Sequence, residues 1–203
     1  MLTPDDLSRD GQKLQYLQAA PKWRHRDPEL FDSLSAVASR DDRSVSDVAA
    51  ALLLPGARFH DELVPRDLRL RRLHFERTLE IANGSELLFF DPDNGLEVAS
   101  CAPGRSGSEK YLLWSELTDA YQAGHSILVY QHFGRQKREP FVTALSERIA
   151  NRTGACEVFA FQTAGVVFLL APQHGATEWF AAAANEIVSR WAGTITPSFV
   201  AVA

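Results

Sequence analysis

Asp91-Pro92-Asp93-Asn94 gathers two carboxylates and an amide directly after the apolar run Leu87-Leu88-Phe89-Phe90. A carboxylate in that position can accept hydrogen bonds from an amine, attack as a nucleophile, or help hold a cation. The competing account is a turn-forming Asp that satisfies nearby backbone N–H groups. A second polar group, His132, follows the apolar run Ile127-Leu128-Val129-Tyr130 after one glutamine. Histidine titrates near neutrality and serves readily as a general base. A polar loop histidine is the plainer alternative.

The elements around these residues decide what they can reach. An unbroken apolar run bounded by turn chemistry is the pattern of a strand buried on both faces. Pro92 removes a ladder donor, and Asp93-Asn94-Gly95 is turn composition. Asp91 is therefore expected at the carboxyl end of a central strand, the edge at which open α/β sheets bind ligands. Residues 92–108 read as a long loop rich in Pro, Gly and Ser. A helix over Lys110–Ala123 follows, with Leu113, Leu117 and Tyr121 on it and Gly124 closing it. Ser126–Tyr130 is the second buried strand. The next helix starts near Pro140, carries Phe141, Val142, Leu145 and Ile149, and ends at Gly154. Glu157–Gln162 and Val166–Leu170 are separated only by Thr163-Ala164-Gly165, too short for a crossover, so an antiparallel pair is predicted. Thr177 is expected to cap a helix ending at Gly193. An apolar tail or short edge strand closes the sequence.

Upstream the pattern is weaker. Residues 1–26 are poorly defined, although Gln15-Tyr16-Leu17 can begin a short helix. Asp27 and Pro28 are a good N-cap and first helical residue, with Leu30, Phe31, Leu34 and Val37 following to about Arg40. A second helix is predicted from Ser44 or Ser46 to Leu54, stopped by Pro55-Gly56. A short strand is predicted around Arg58-Phe59-His60. Pro65 should open a third helix over Arg66–Ala82, placing Leu68, Arg72, Phe75 and Leu79 on one face, with Asn83-Gly84 as its cap.

The 203 residues suit one domain with a full core, and 45% hydrophobic with 23% charged residues is ordinary for a globular chain. A formal charge of -5 gives no global attraction to nucleic acid. Local basic clusters persist at Arg66, Arg69, Arg71 and Arg72, and at Arg135, Lys137 and Arg138; they read first as solvated helix faces. Cys101 and Cys156 lack metal-ligand spacing and read as free thiols of a reducing compartment. No apolar stretch spans a membrane and the start lacks a signal-peptide pattern, so a cytoplasmic location is expected.

From residue 86 onward the order is strand, helix, strand, helix, strand, strand, helix. Alternation implies an α/β fold: three layers and a mostly parallel sheet, closed by an antiparallel hairpin. This order, with the acidic motif ending its first strand, resembles the second half of Rossmann-like S-adenosylmethionine-dependent methyltransferases, in which a late antiparallel strand is inserted into the sheet. Asp91-Pro92-Asp93-Asn94 looks like a variant of that family's [DNS]-P-P-[YFW] motif, which marks amino methyltransferases, including adenine-N6 enzymes acting on nucleic acid. The segments LTPDD, DPELFD, LPGA, FFDPDNG and VYQHF also resemble a family of uncharacterised bacterial proteins. The methyltransferase resemblance implies one catalytic domain using S-adenosylmethionine on an amine or amide nitrogen. Asp91 and the Pro92 carbonyl would hold the nucleophile, with Asp93, Asn94 and His132 lining the pocket. Two departures follow. Asp93 and Asn94 replace the motif's second proline and its aromatic, so stacking on a flipped base loses its partner. No glycine-rich donor turn precedes Asp91, and Leu2-Thr3-Pro4 reads as the end of a strand whose beginning is missing. A non-catalytic relative that keeps the sheet as a binding module is the alternative.

Other chemistries fit less of the chain. The D-x-D pair Asp91 and Asp93 matches a phosphohydrolase of the haloacid dehalogenase type, with Lys137 as phosphate partner, but the later strands lack its Ser or Thr and its acidic pair. Gly95 comes one place early for a calcium loop. Glu97 is followed by Val98-Ala99, which excludes a PD-(D/E)-x-K nuclease.

Overall fold

The structure, a computed structural model, describes residues 16–39, 54–134 and 136–201, with the side chains of 199–201 left out. The chain falls into two compact units, one within Pro4–Glu62 and one within Leu63–Ala203. In the first, α1 (Ala20–Trp23) leads through a 3-10 turn to α2 (Pro28–Ala38). Asp27 caps α2 as expected, its Oδ1 accepting from the Leu30 N–H at 3.1 Å. Phe31 and Val37 are the buried residues of α2. The strand expected around Arg58-Phe59-His60 is not formed: these residues adopt no regular secondary structure after the Pro55-Gly56 turn. The helix expected from Ser44 or Ser46 lies, but for Leu54, outside the described residues, as do the strand end at Leu2-Thr3-Pro4 and the start of the helix expected at Gln15.

The second unit is a mixed α/β fold. It contains α3 (Leu68–Ala82), β1 (Leu87–Phe90), α4 (Trp114–Gln122), β2 (Ser126–His132), α5 (Arg138–Thr153), β3 (Glu157–Gln162), β4 (Val166–Ala171), α6 (Thr177–Arg190) and β5 (Thr196–Ala201). The sheet order is β1-β2-β4-β3-β5. Only β1 and β2 pair in parallel; β2–β4, β4–β3 and β3–β5 are antiparallel. The mostly parallel sheet expected from the sequence is therefore not formed. The reason is where β4 goes. Strands β1, β2 and β3 run the same way, but the tight Thr163–Gly165 turn sends β4 back between β2 and β3, against both. The tail then adds as β5 along the outer side of β3.

Strand β1 is not central. It is an edge of the five-stranded sheet, with Leu87 and Phe89 36% and 54% exposed and Phe90 buried. One face of the sheet packs Ile127, Val129, Val158, Ala160, Val167 and Leu169 against side chains of α3, α4 and α5. The other packs Phe159, Phe161 and Leu170 against Phe180 and Ala184 of α6. The second cover falls short of β1, which leaves Phe89 open to solvent despite its apolar run.

Helix α3 corrects two expectations. It starts after Asp67, not at Pro65, because Asp67 Oδ1 accepts from the N–H groups of Arg69 and Leu70 at 3.0 and 2.9 Å. Its buried face holds Arg71, Phe75 and Ala82, while Leu68 is 52% exposed. Arg71 points inward from a cluster that reads as solvated, and its guanidinium makes four hydrogen bonds. It makes a two-point ion pair with Glu116 at 2.6 and 2.8 Å and donates to the carbonyls of Ser108 and Tyr111. Glu116 Oε2 also accepts from the Leu113 N–H, fixing the start of α4. That helix begins at Trp114 rather than Lys110, since the backbone of Lys110 and Leu112 is committed to the loop before it.

Candidate functional site

Asp91 lies where β1 ends, and the backbone beyond it turns at once. The Gly95 N–H donates to the Pro92 carbonyl at 3.1 Å, closing a turn over Pro92–Gly95. The loop then zips onto the approach to α4. Asn94 N–H donates to the Lys110 carbonyl, Leu112 N–H to Gly95, and Glu97 N–H to Leu112, around a parallel bridge between Leu96 and Leu112. Pro92, Gly95 and Leu96 are buried, while Asp91 and Asn94 are exposed. The long loop expected over 92–108 is thus anchored at its start.

Gln131, the penultimate residue of β2, anchors it from below. Its Oε1 accepts from the Leu96 N–H at 2.8 Å, and its Nε2 donates to the His132 carbonyl at 2.9 Å. Gly95 has a left-handed φ of 85°, and a Cβ built there meets the Gln131 amide at 2.3–2.4 Å. Glycine is required at this point for two separate reasons: backbone conformation and close approach.

On the neighbouring strand, Tyr130 and His132 sit with rings 4.9 Å apart, edge to face. Tyr130 also meets Phe168 of β4 at 5.4 Å, and Phe168 meets Phe89 at 6.4 Å. These contacts form an aromatic row on the sheet face that carries Phe89. Burial, and then the nearby Asp91 carboxylate, push the Tyr130 phenol above its ordinary pKa. Asp91, Tyr130 and His132 therefore share one neighbourhood at the carboxyl ends of two parallel strands.

The remaining residues divide. Asp93 Oδ2 lies 3.9 Å from Lys110 Nζ. Asn94 offers an exposed amide. Pro92 is buried and its carbonyl already accepts the turn hydrogen bond, leaving one lone pair for any ligand. Glu97 is structural: its carboxylate accepts from the Trp114 N–H, and its carbonyl from the indole N–H. No group of three metal-ligating side chains forms among the described residues. Arg135 lies outside the described residues. Arg138 packs its guanidinium over the Phe133 ring at 4.7 Å and donates to the Ala164 carbonyl. Gln131 and Lys110 carry no signal of a role in the sequence, and Tyr130 reads there only as part of an apolar run, in the core or on a pocket wall. Only the strand pairing brings Gln131 beneath Gly95, and no local pattern announces that.

The S-adenosylmethionine that the methyltransferase resemblance implies is not accommodated by the turn after Asp91. Its donor turn requires open glycine backbone beside a strand end. The glycine of the turn after Asp91, Gly95, has its open side filled by Gln131. No helix among the described residues is long and apolar enough to cross a membrane. No family model, curated protein or solved structure matches this chain.

Proposed function

We propose that the carboxyl ends of β1 and β2 form the acceptor side of a methyltransferase-like site for an amine or amide nitrogen. One observation carries this reading: β4 runs reversed between β2 and β3, and Asp91 stands at the end of the strand parallel to β2. An antiparallel strand inserted late in the sheet, with the acidic motif on an earlier strand end, is the arrangement the methyltransferase resemblance implies. Asp91 accepts an N–H of the acceptor and keeps the nitrogen lone pair free. Asp93 and Asn94 supply further polar contacts, and one ring of the edge-to-face Tyr130–His132 pair supplies the flat face missing at Asn94. His132 is the group placed to take a proton from the nitrogen. The donor, when bound, supplies an electrophilic methyl group. A nucleobase and a smaller aromatic amine both present an amine on a flat ring, so nucleic acid belongs among the acceptors of this reading.

The filled space at Gly95 favours a second reading, a binding module that keeps the sheet without transferring methyl groups. Isothermal titration of the full chain with S-adenosylmethionine separates them. Saturable heat, with radiolabelled methyl transfer to an amine or oligonucleotide panel, supports the enzyme. No heat at millimolar donor leaves the binding module.

A further inference from the structure

Cys156, just before β3, and His174, just after β4, bring Sγ and Nδ1 to 3.3 Å, and both side chains are exposed. The pair is held from both flanks. On one side α5 ends at Gly154 in the left-handed conformation, whose N–H bonds back to Ala150 at 2.7 Å. On the other, residues 172–173 are pinned before His174 enters a 3-10 turn. The Tyr121 hydroxyl donates to the Pro172 carbonyl at 2.9 Å, and the Gln173 N–H donates to Ser126 Oγ at 3.0 Å. The Gln173 side-chain amide reaches the carbonyls of Tyr121 and His125 at 2.6 and 3.0 Å. The backbone next to both members of the dyad is thus held by hydrogen bonds. The contact of the other thiol differs in kind: Cys101 Sγ faces the Ser106 carbonyl at 3.9 Å, which is no base.

We propose that Cys156 and His174 form a thiol–imidazole dyad that exchanges with low-molecular-weight disulfides and places a mixed disulfide on Cys156. The thiol proton passes to His174 Nδ1, and Sγ attacks one sulfur of the small disulfide. The old S–S bond breaks as the new one forms, and the departing thiolate takes the proton from the imidazolium. Cys156 is oxidised, and one equivalent of small thiol leaves reduced. Nothing in this step draws on Asp91 or on methyl transfer.

The test uses the full chain and oxidised glutathione near neutral pH, with peptide mass spectrometry following each cysteine in the same sample. Cys156 is expected to gain the adduct about tenfold faster than Cys101, because His174 stands beside Sγ to take its proton as the attack begins. His174→Gln, at an exposed position, should bring Cys156 down to the Cys101 rate while leaving Cys101 unchanged. Equal rates for the two cysteines in the unmodified chain overturn the proposal without any variant. So does a His174→Gln protein, folded by circular dichroism, in which Cys156 reacts as fast as before; exposure alone then explains its rate.

Discussion

The side-chain amide of Gln131 occupies the space that a Cβ on Gly95 would fill, and the same amide accepts the N–H of Leu96. The turn after Asp91 is thereby locked to the neighbouring strand rather than left to its own loop. Gly95→Ala should destabilise the chain by about 2–4 kcal/mol, combining left-handed backbone strain with overpacking. Urea unfolding measures it. In a Gln131→Ala background the same substitution should cost less, because the steric part is gone and the backbone part stays.

Arg71 and Glu116 form a buried ion pair whose partners also hold Ser108, Tyr111 and Leu113. Arg71→Met leaves Glu116 buried without its counter-charge, and a loss of about 3–5 kcal/mol is expected from urea unfolding. Arg71→Met with Glu116→Gln should recover part of that loss, since the stranded charge is removed.

The Tyr130 phenol reports on Asp91. Burial is the larger cause of its raised pKa and the Asp91 charge the second. Asp91→Asn should therefore move the Tyr130 ionisation part of the way back toward the ordinary phenol range. Absorbance titration, with Tyr130→Phe to identify the signal, reads this directly. An unchanged titration would place the Asp91 carboxylate away from Tyr130.

The fall in stability on acidification should depend in part on Arg66. The side-chain hydrogen bond from Arg66 is the largest cause holding the Glu109 carboxyl below its ordinary pKa. A lowered folded-state value means the unfolded chain takes up this proton first. The contribution is complete above the usual Glu value of about 4.3 and disappears as the pH falls through the lower folded-state value. Arg66→Gln should therefore remove a small stabilisation at neutral pH, flatten the stability profile over that acid window, and leave stability below the folded-state value unchanged. Denaturant unfolding at a series of acid pH values measures the change.

If methyl transfer is detected, Asp91→Ala should abolish turnover while leaving the fold intact by circular dichroism. The side chain is exposed, so its removal opens no cavity. Retained turnover would remove Asp91 from the reaction.

The sequence made the local elements readable because their signals are local. Asp27 and Pro28 begin α2, Gly154 ends α5, and the Thr163–Gly165 spacing forces the β3–β4 hairpin. The position of each strand in the sheet was not readable. The apolar run Leu87–Phe90 looks central from its composition, yet Phe89 faces solvent because the cover formed by α6 ends short of it. Arg71 reads with its charged neighbours because charge patterning cannot see the single helical position that points inward. Asp91 was legible as a strand-end carboxylate. Its partner Tyr130 was legible only as an aromatic, because their proximity arises from the β1–β2 register.

The inserted position of β4 also sets the order in which the sheet can assemble. Its pairing with β3 joins near neighbours in sequence, such as Phe161 and Phe168, whereas β1 reaches β2 across the long segment from Leu87 to Ser126. Closing long loops delays such contacts relative to hairpins. The β3–β4 hairpin should gain amide protection first in pulse-labelled refolding and β1 later. During that interval Leu87 to Phe90 is an apolar strand with neither edge paired, the most association-prone stage in the life of the chain.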